Sequence, residues 1–187
     1  MKALLASQNR HKLEELRAAL PDWQLEALEA SDWPEETGAT YEENARIKAR
    51  FAHERAPGCW ALGEDSGIEA AALAGGPGIR SARWAAGDQA DALLARLAGE
   101  RDRRARMVTV LVAIDPEGHE FHGSGVLEGT VAGERRGNAG FGYDPVFVPT
   151  GLTQTVAELG EAWKAAHSHR ARAAQALAAA VGPVRAS

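Results

Sequence analysis

Apolar residues recur along this chain in two rhythms, every second position in some stretches and every third or fourth in others, which predicts strands interleaved with helices. Residues 2–6 predict a first strand. A helix follows with Leu13, Leu16 and Leu20 on one face and Asn9 placed to cap it. Residues 24–28 predict a second strand. Thr40-Tyr41-Glu42-Glu43 has capping-box spacing, so a helix runs through Asn44, Lys48 and Ala52 until Pro57-Gly58 stops it. Trp60-Ala61-Leu62 has the size of a short buried strand, expected to end where Glu64 and Asp65 begin. A helix is expected over 88–97, with Leu93, Leu94 and Leu97 inward. Residues 101–106 read as a charged, solvated connector. Residues 107–114 carry the strongest strand signal, rich in Val, Leu and Ile, and Pro116-Glu117-Gly118 turns the chain into a returning strand over 120–131. That pair reads as a long antiparallel hairpin. A short helix over 157–164 and a last helix, capped by Ser168 and ended by Gly182-Pro183, complete a mixed α/β (α+β) pattern.

Composition narrows the class. A chain of 187 residues forms one domain or two lobes sharing a core. A net charge of -5 argues against a general nucleic-acid footprint. Cys59 is the single cysteine, which excludes a disulfide framework, and it reads as a small buried side chain. No apolar run reaches membrane-spanning length, and the apolar start is too short for a signal-peptide core. A cytoplasmic protein with no membrane partner is expected. Only four of the 21 basic residues are lysines, at 2, 12, 48 and 164. Lysine is a compact three-donor charge suited to phosphate oxygens, so Lys12, Lys48 and Lys164 stand out in a chain that otherwise uses arginine.

Candidate chemistry gathers at the loops. Gly63-Glu64-Asp65-Ser66-Gly67 offers two carboxylates and a hydroxyl at an expected strand end, where open α/β sheets place ligands and where a hard metal ion and a phosphate would be at home. The loop Ser7-Gln8-Asn9-Arg10-His11-Lys12 opens a helix whose free N–H groups and dipole attract anions. Lys12 sits there against the usual preference for acids, which makes sense if an anion binds. Glu35 and Glu36 form an acidic pair in the loop before the Thr40 helix. Gly75-Gly76-Pro77-Gly78 is a tight turn. The stretch 137–145 places aromatics between glycines, a flat face for a base beside open backbone. His119 and His122 read as hairpin residues, and His167 and His169 lack an acid or cysteine nearby to complete a metal site.

Seven motifs occur in one order: Ser7-x-Asn9-x-x-Lys12; Glu35-Glu36-Thr37-Gly38 with Asn44-Ala45-x-x-Lys48; Glu64-Asp65-Ser66-Gly67; Gly76-Pro77-Gly78; Gly140-Phe141-Gly142-Tyr143-Asp144-Pro145; Lys164; and Ser168-His169-Arg170. Together they resemble the inosine/xanthosine triphosphate pyrophosphatase family, the non-standard purine NTP pyrophosphatases. The resemblance covers nearly the whole chain and implies a single pyrophosphatase domain over 1–187, with two lobes around a long central twisted sheet and a substrate cleft between the lobes. It also implies a homodimer and Mg²⁺-dependent hydrolysis of ITP, dITP and XTP to the monophosphate and pyrophosphate.

Carried over position by position, the resemblance gives Ser7, Gln8, Asn9, Arg10, His11 and Lys12 to the phosphates, with Lys48 reaching the triphosphate. Glu35 and Asp65 serve the Mg²⁺, and Asp65 is the catalytic acid-base residue. Ser66 touches the nucleotide. Phe141, Gly142, Tyr143 and Asp144 cradle the base, Tyr143 against its face, and Lys164, His169 and Arg170 close over it. Two alternatives stay open on the residues themselves: Glu36 for Glu35 at the metal, and Glu64 for Asp65 as the base. Two departures from the family pattern are Gln8 where glycine is common and Ser7 where threonine is usual. Two other functions fit parts of the pattern. One is the related group of septum-associated pyrimidine-nucleotide pyrophosphatases. The other is a nucleotide-binding regulatory module without turnover, against which the intact Glu35, Asp65 and lysines argue.

Overall fold

The computed structural model describes residues 1–182, so Pro183 of the expected Gly182-Pro183 stop lies outside them. Among the described residues six strands and five α-helices follow in the order β1 (Lys2–Ala6), α1 (Arg10–Ala19), β2 (Gln24–Ala27), α2 (Tyr41–Arg55), β3 (Trp60–Ala70), α3 (Gln89–Arg96), β4 (Arg104–Ile114), β5 (Glu120–Val131), β6 (Phe147–Pro149), α4 (Val156–His167) and α5 (His169–Val181). The strands form one sheet in the order β2-β1-β3-β4-β5-β6. β1 lies parallel to both β2 and β3, and β6 runs antiparallel to β5. The mixed α/β class expected from the sequence is the one observed. Among the described residues no helix is long and apolar enough to cross a membrane.

The chain divides into two compact units. The first comprises Met1–Asp65, Thr109–Gly125 and the described residues from His169 on; the second comprises Ser66–Val108 and Val126–Ser168. In the first unit strand alternation separates two cores. Ala3 and Leu5 of β1, Leu62 of β3, and Leu111 and Ala113 of β4 join Leu13 and Leu16 of α1 and Ala173, Ala174 and Leu177 of α5. The intervening positions, Ala6, Ala61, Val112 and Ile114, join Ala45, Ala49 and Ala52 of α2. In the second unit a third core gathers Ile68, Leu93, Leu97, Met107, Leu127, Phe147 and Val156.

Local signals explain most boundaries. Asn9 accepts the N–H groups of His11 and Lys12 and starts α1; Asp88 does the same for Ala90 and Asp91 at α3. Thr40 accepts the Glu43 N–H, while the Glu43 carboxylate takes the Ala39 N–H, one residue earlier than a reciprocal box requires. Thr155 and Glu158 form the full box at α4, whose path breaks at Gly160, φ 80° and ψ 177°.

Three expectations need correction. The strand at Trp60 does not stop before the acids: β3 continues to Ala70, because Glu64 and Asp65 find cationic or amide partners on each side and so can stay in buried backbone. The parallel partnership with β1, however, ends at Ala6 opposite Gly63, so the acids do lie just past a strand's carboxyl end, that of β1. The charged connector is not merely solvated. Arg104–Arg106 belong to β4, and the Arg103 guanidinium donates to the carbonyls of Leu97 (3.0 Å), Val131 (2.7 Å) and Ala132 (2.5 Å). Cys59 is half-buried rather than buried. The three-residue β6 was too short to show in the sequence rhythm.

Gly63 sets how closely α2 approaches the sheet. A Cβ there would fall 1.9 Å from the Ala45 carbonyl oxygen and 2.5 Å from the Ala49 nitrogen, both helix backbone. Gly63→Ala is therefore expected to destabilise the protein by about 1–3 kcal/mol, the usual range for overpacking. Gly133, with nothing within 4 Å of a built Cβ, serves as the control. Gly133→Ala should stay within about 0.5 kcal/mol of the parent. Denaturant unfolding of the two variants checks this, and equal effects would mean that α2 has room to shift.

Candidate active site

Alternation along β3 turns Glu64 toward α1 and α5 and Asp65 toward α2. Glu64 is 1% exposed. Its Oε2 accepts from Lys12 Nζ at 2.6 Å, and its Oε1 accepts from Arg170 Nη2 at 3.0 Å. Arg170, itself 2% exposed, also donates through Nη1 to Glu15 Oε2. Burial alone would raise the Glu64 pKa, but Lys12, Arg170 and Lys48 overcome it and hold the carboxyl far below the ordinary range. Glu64 is thus a fixed anion between two cations.

Asp65 has different neighbours. Its Oδ2 accepts from Asn44 Nδ2 at 3.2 Å, and its Oδ1 from Lys48 Nζ at 3.2 Å. Burial raises its pKa; Lys48 works against this, and the negative charges of Glu64 and Glu36 add to the rise. Two adjacent carboxylates are therefore pushed in opposite directions, a pattern that commonly separates a fixed charge from a proton acceptor. Asn44 also accepts the Gly38 N–H at 2.8 Å, which ties the acidic loop to Asp65. In that loop Glu35 is exposed, while Glu36 is half-buried with Oε1 2.6 Å from Lys48 Nζ. For Lys48, burial favours the neutral amine, but Asp65, Glu64 and Glu36 outweigh it and raise the pKa.

The structure thus brings Lys12, Glu36, Asn44, Lys48, Glu64, Asp65 and Arg170 together in the first unit. The phosphate-loop residues lie beside them in sequence. Ser7, Gln8, Asn9 and Arg10 line a cavity of about 360 Å³ with Leu28, Glu29 and Trp33. Ser7 Oγ accepts the Asn9 N–H at 3.2 Å, and Gln8, Arg10 and His11 are exposed. His169 is buried at the start of α5.

The second unit holds the remaining candidates. Ser66 follows Asp65 in β3 and is half-buried. Asp144, 1% exposed, accepts from Lys164 Nζ and, at 2.8 Å, from the Phe141 N–H. The Lys164 ammonium lies 4.4 Å from the centroid of the Phe141 ring. That ring is half-buried, whereas Tyr143 is 5% exposed and packs in the core. The Tyr143 hydroxyl accepts from Trp84 Nε1 at 2.7 Å and donates to the Ser81 carbonyl at 3.2 Å. Burial pushes its pKa up to about 12. Gly142 lies between these rings with φ 60°.

Sequence reasoning missed Glu15 and Trp84. Glu15 stands three residues after Lys12, on the same helix face, and that spacing was the available signal. Trp84 carried no local signal. One further acidic group, Asp115, Glu117 and His119, has its ligand atoms within 4.8 Å of one another at the β4–β5 turn. Asp115 there accepts from the His119 backbone at 2.8 Å and pairs with its ring, which accounts for it as turn structure.

The oxygens that meet Lys48, two carboxylates and a carbonyl, are of the type that a hard cation such as Mg²⁺ takes. The Ham1 family model matches residues 3–180. A dITP/XTP pyrophosphatase of Deinococcus deserti is 45% identical over 185 residues, covering 95% of this chain and 88% of that protein. Among solved structures, a Ham1 protein of Staphylococcus aureus aligns with TM-score 0.81 at 34% identity, over 94% of this chain and 95% of the other. A nucleoside-triphosphatase, dITP/XTP pyrophosphatase, of Mycobacterium abscessus aligns with TM-score 0.72 at 39% identity, over 97% of this chain and all of the other. The family that the seven motifs resemble is the one found by sequence and by fold, and this chain belongs to the Ham1 family.

Proposed function

We propose that this chain hydrolyses non-standard purine nucleoside triphosphates (ITP, dITP and XTP) to the monophosphate and pyrophosphate, acting as a single pyrophosphatase domain. The observation that supports it best is the buried cluster in which Asp65, with a raised pKa, stands beside Glu64, a fixed anion, and two lysines. The relatives named dITP/XTP pyrophosphatase supply the substrate class. Hydrolase activity follows from the family; dependence on Mg²⁺, a homodimer and a cytoplasmic location belong to this proposal.

In this reading Glu36 and Asp65 hold the metal, since Glu36 rather than the exposed Glu35 lies at the Lys48 ammonium that Asp65 also meets. When bound, Mg²⁺ supplies charge neutralisation on the phosphate oxygens and a lowered pKa for a nearby water. Lys12 and Lys48 neutralise phosphate charge, helped by the loop from Ser7 to His11, and Ser66 contacts the nucleotide. Phosphoryl chemistry needs mainly such positioning and charge. Asp65 accepts the proton of the attacking water, a role that Glu64, held by Lys12 and Arg170, cannot fill. Phe141 presents the ring face to the base, with Gly142 and Asp144 beside it and Tyr143 behind as a core support. Lys164, His169 and Arg170 complete base recognition, with Arg170 oriented by Glu15 and Glu64.

Pyrophosphate release from a panel of ITP, XTP, dITP, ATP, GTP and pyrimidine triphosphates, with and without Mg²⁺, tests the reading. Preference for the deaminated purines with Mg²⁺ is expected. Preference for pyrimidine nucleotides would move the protein to the related pyrimidine group, and binding without turnover would make it a sensor. Asp65→Asn should cost at least about two orders of magnitude in kcat with the fold retained, as for loss of a principal catalytic group. Near-normal turnover by folded Asp65→Asn would remove the assignment.

Glu64→Gln should act through stability instead. It leaves Lys12 and Arg170 without their shared anion, and removing one partner of a buried pair costs about 3–5 kcal/mol. Because the folded pKa of Glu64 is lowered, its contribution is present above the ordinary value of 4.5 and is lost as pH falls toward the folded value. The stability gap between parent and variant should therefore be full at neutral pH and narrow progressively below pH 4.5, as read from denaturant unfolding across pH. A gap independent of pH would show that the loss is one of packing and not of charge.

A further inference from the structure

Three oxygens converge on the ammonium of Lys48. Glu36 Oε1 lies at 2.6 Å, the backbone carbonyl of Glu64 at 2.8 Å and Asp65 Oδ1 at 3.2 Å. An ammonium has three N–H donors, so the count of donors matches the count of acceptors. The side chain is 10% exposed, and the Asp65 side chain 6%. Two carboxylates and a carbonyl are also what a hard divalent ion takes, at 2.0–2.6 Å depending on the ion. Both cations would draw on the same oxygens at distances too short to share them. In a poorly solvated site, an ammonium and a divalent ion held against two carboxylates would repel strongly.

We propose that Lys48 is the resident counter-cation of this oxygen set and is exchanged for the divalent metal ion, so that metal binding drives the ammonium off Glu36 and Asp65 and onto the triphosphate. The proposal rests on the reading that Glu36 and Asp65 hold the metal. It explains why a lysine expected to bind phosphate is found hydrogen-bonded to acids. In the nucleotide-free protein the ammonium offsets the repulsion between the two carboxylates that it meets. The exchange also couples the two ligands. A metal ion arriving alone must expel Lys48 toward no anion. A triphosphate arriving alone must pull Lys48 away from both carboxylates. Together each removes the other's obstacle, and that coupling is reciprocal by linkage. The lysine stem permits the motion: four methylenes carry the charge, and the three acceptors hold it only at its tip.

Divalent-ion binding to the nucleotide-free protein tests the exchange without any turnover. Lys48→Met keeps the length of the stem and removes the competing charge. Calorimetry with Mg²⁺, and electron paramagnetic resonance with Mn²⁺, should show at least about tenfold tighter binding to Lys48→Met than to the parent, the scale of one nearby unit charge. The variant should also melt lower than the parent without metal and gain more than the parent when Mg²⁺ is added. A second measurement uses the unaltered protein. It contains four lysines, so ¹³Cε-labelled lysine gives four assignable signals, and the Lys48 signal should move with Mg²⁺ at the midpoint of metal binding.

Equal or weaker metal binding by Lys48→Met overturns the exchange, and so does a Lys48 signal that stays in place at saturating Mg²⁺, a result that stands even if the variant does not fold. Glu36→Gln separates this failure from failure of the underlying reading. If Glu36→Gln weakens metal binding while Lys48→Met does not strengthen it, the acidic site stands and the exchange alone falls. If Glu36→Gln leaves metal binding unchanged, the acidic site falls and takes the exchange with it.

Discussion

Successive side chains of a strand point to opposite faces, and β3 places two carboxylates at successive positions in buried surroundings. Each makes its side-chain hydrogen bonds with cations or donors on its own side of the sheet. The helices that cover the sheet in the first unit supply them. α1 supplies Lys12 and α5 supplies Arg170 on one face; α2 supplies Asn44 and Lys48 on the other. Gly63 admits the α2 backbone close enough for its side chains to reach Asp65.

The same geometry gives two chemically different acids from one dipeptide. Glu64 meets a lysine and an arginine and remains ionised. Asp65 meets an amide, a lysine and the field of Glu36 and Glu64, and holds its proton more readily than a free aspartate. The second unit repeats the principle with Asp144, which is buried where Lys164 and the Phe141 N–H both meet it. Three of the four lysines, Lys12, Lys48 and Lys164, stand at buried carboxylates, while Lys2 pairs with the exposed Glu26.

Much of this was legible in the sequence because it rested on local rules. The β1 strand, the Asn9 cap and the β5 strand over 120–131 follow from spacing and side-chain chemistry within a few residues. The rarity of lysine pointed to Lys12, Lys48 and Lys164. What stayed hidden depends on contacts distant in sequence. Strand β3 reads as ending at two acids because local preference counts them as turn formers, and only partners from α1, α2 and α5 permit the extended path. Glu36 and Glu35 are equivalent in a loop read alone; the Asn44 bond to Gly38 is what presents Glu36 to Lys48. Tyr143 and Phe141 look alike in the glycine-rich stretch, and the hydrogen bonds from Trp84 and to Ser81 are what commit Tyr143 to the interior.

The chain of Lys12, Glu64, Arg170 and Glu15 has a bearing on how this site tolerates drift over generations. Its four members come from three separate segments, yet each carboxylate oxygen of Glu64 serves a different cation. Contacting charges of this kind contribute non-additively. A lineage that loses one member disturbs the charge balance of the buried set, whereas a lineage that replaces a complementary pair keeps it. Viable variation at positions 12, 15, 64 and 170 should thus arise as correlated sets, with the individual intermediates selected against, and the most permissive point of entry is Glu15, whose side chain is 12% exposed where that of Glu64 is fully buried.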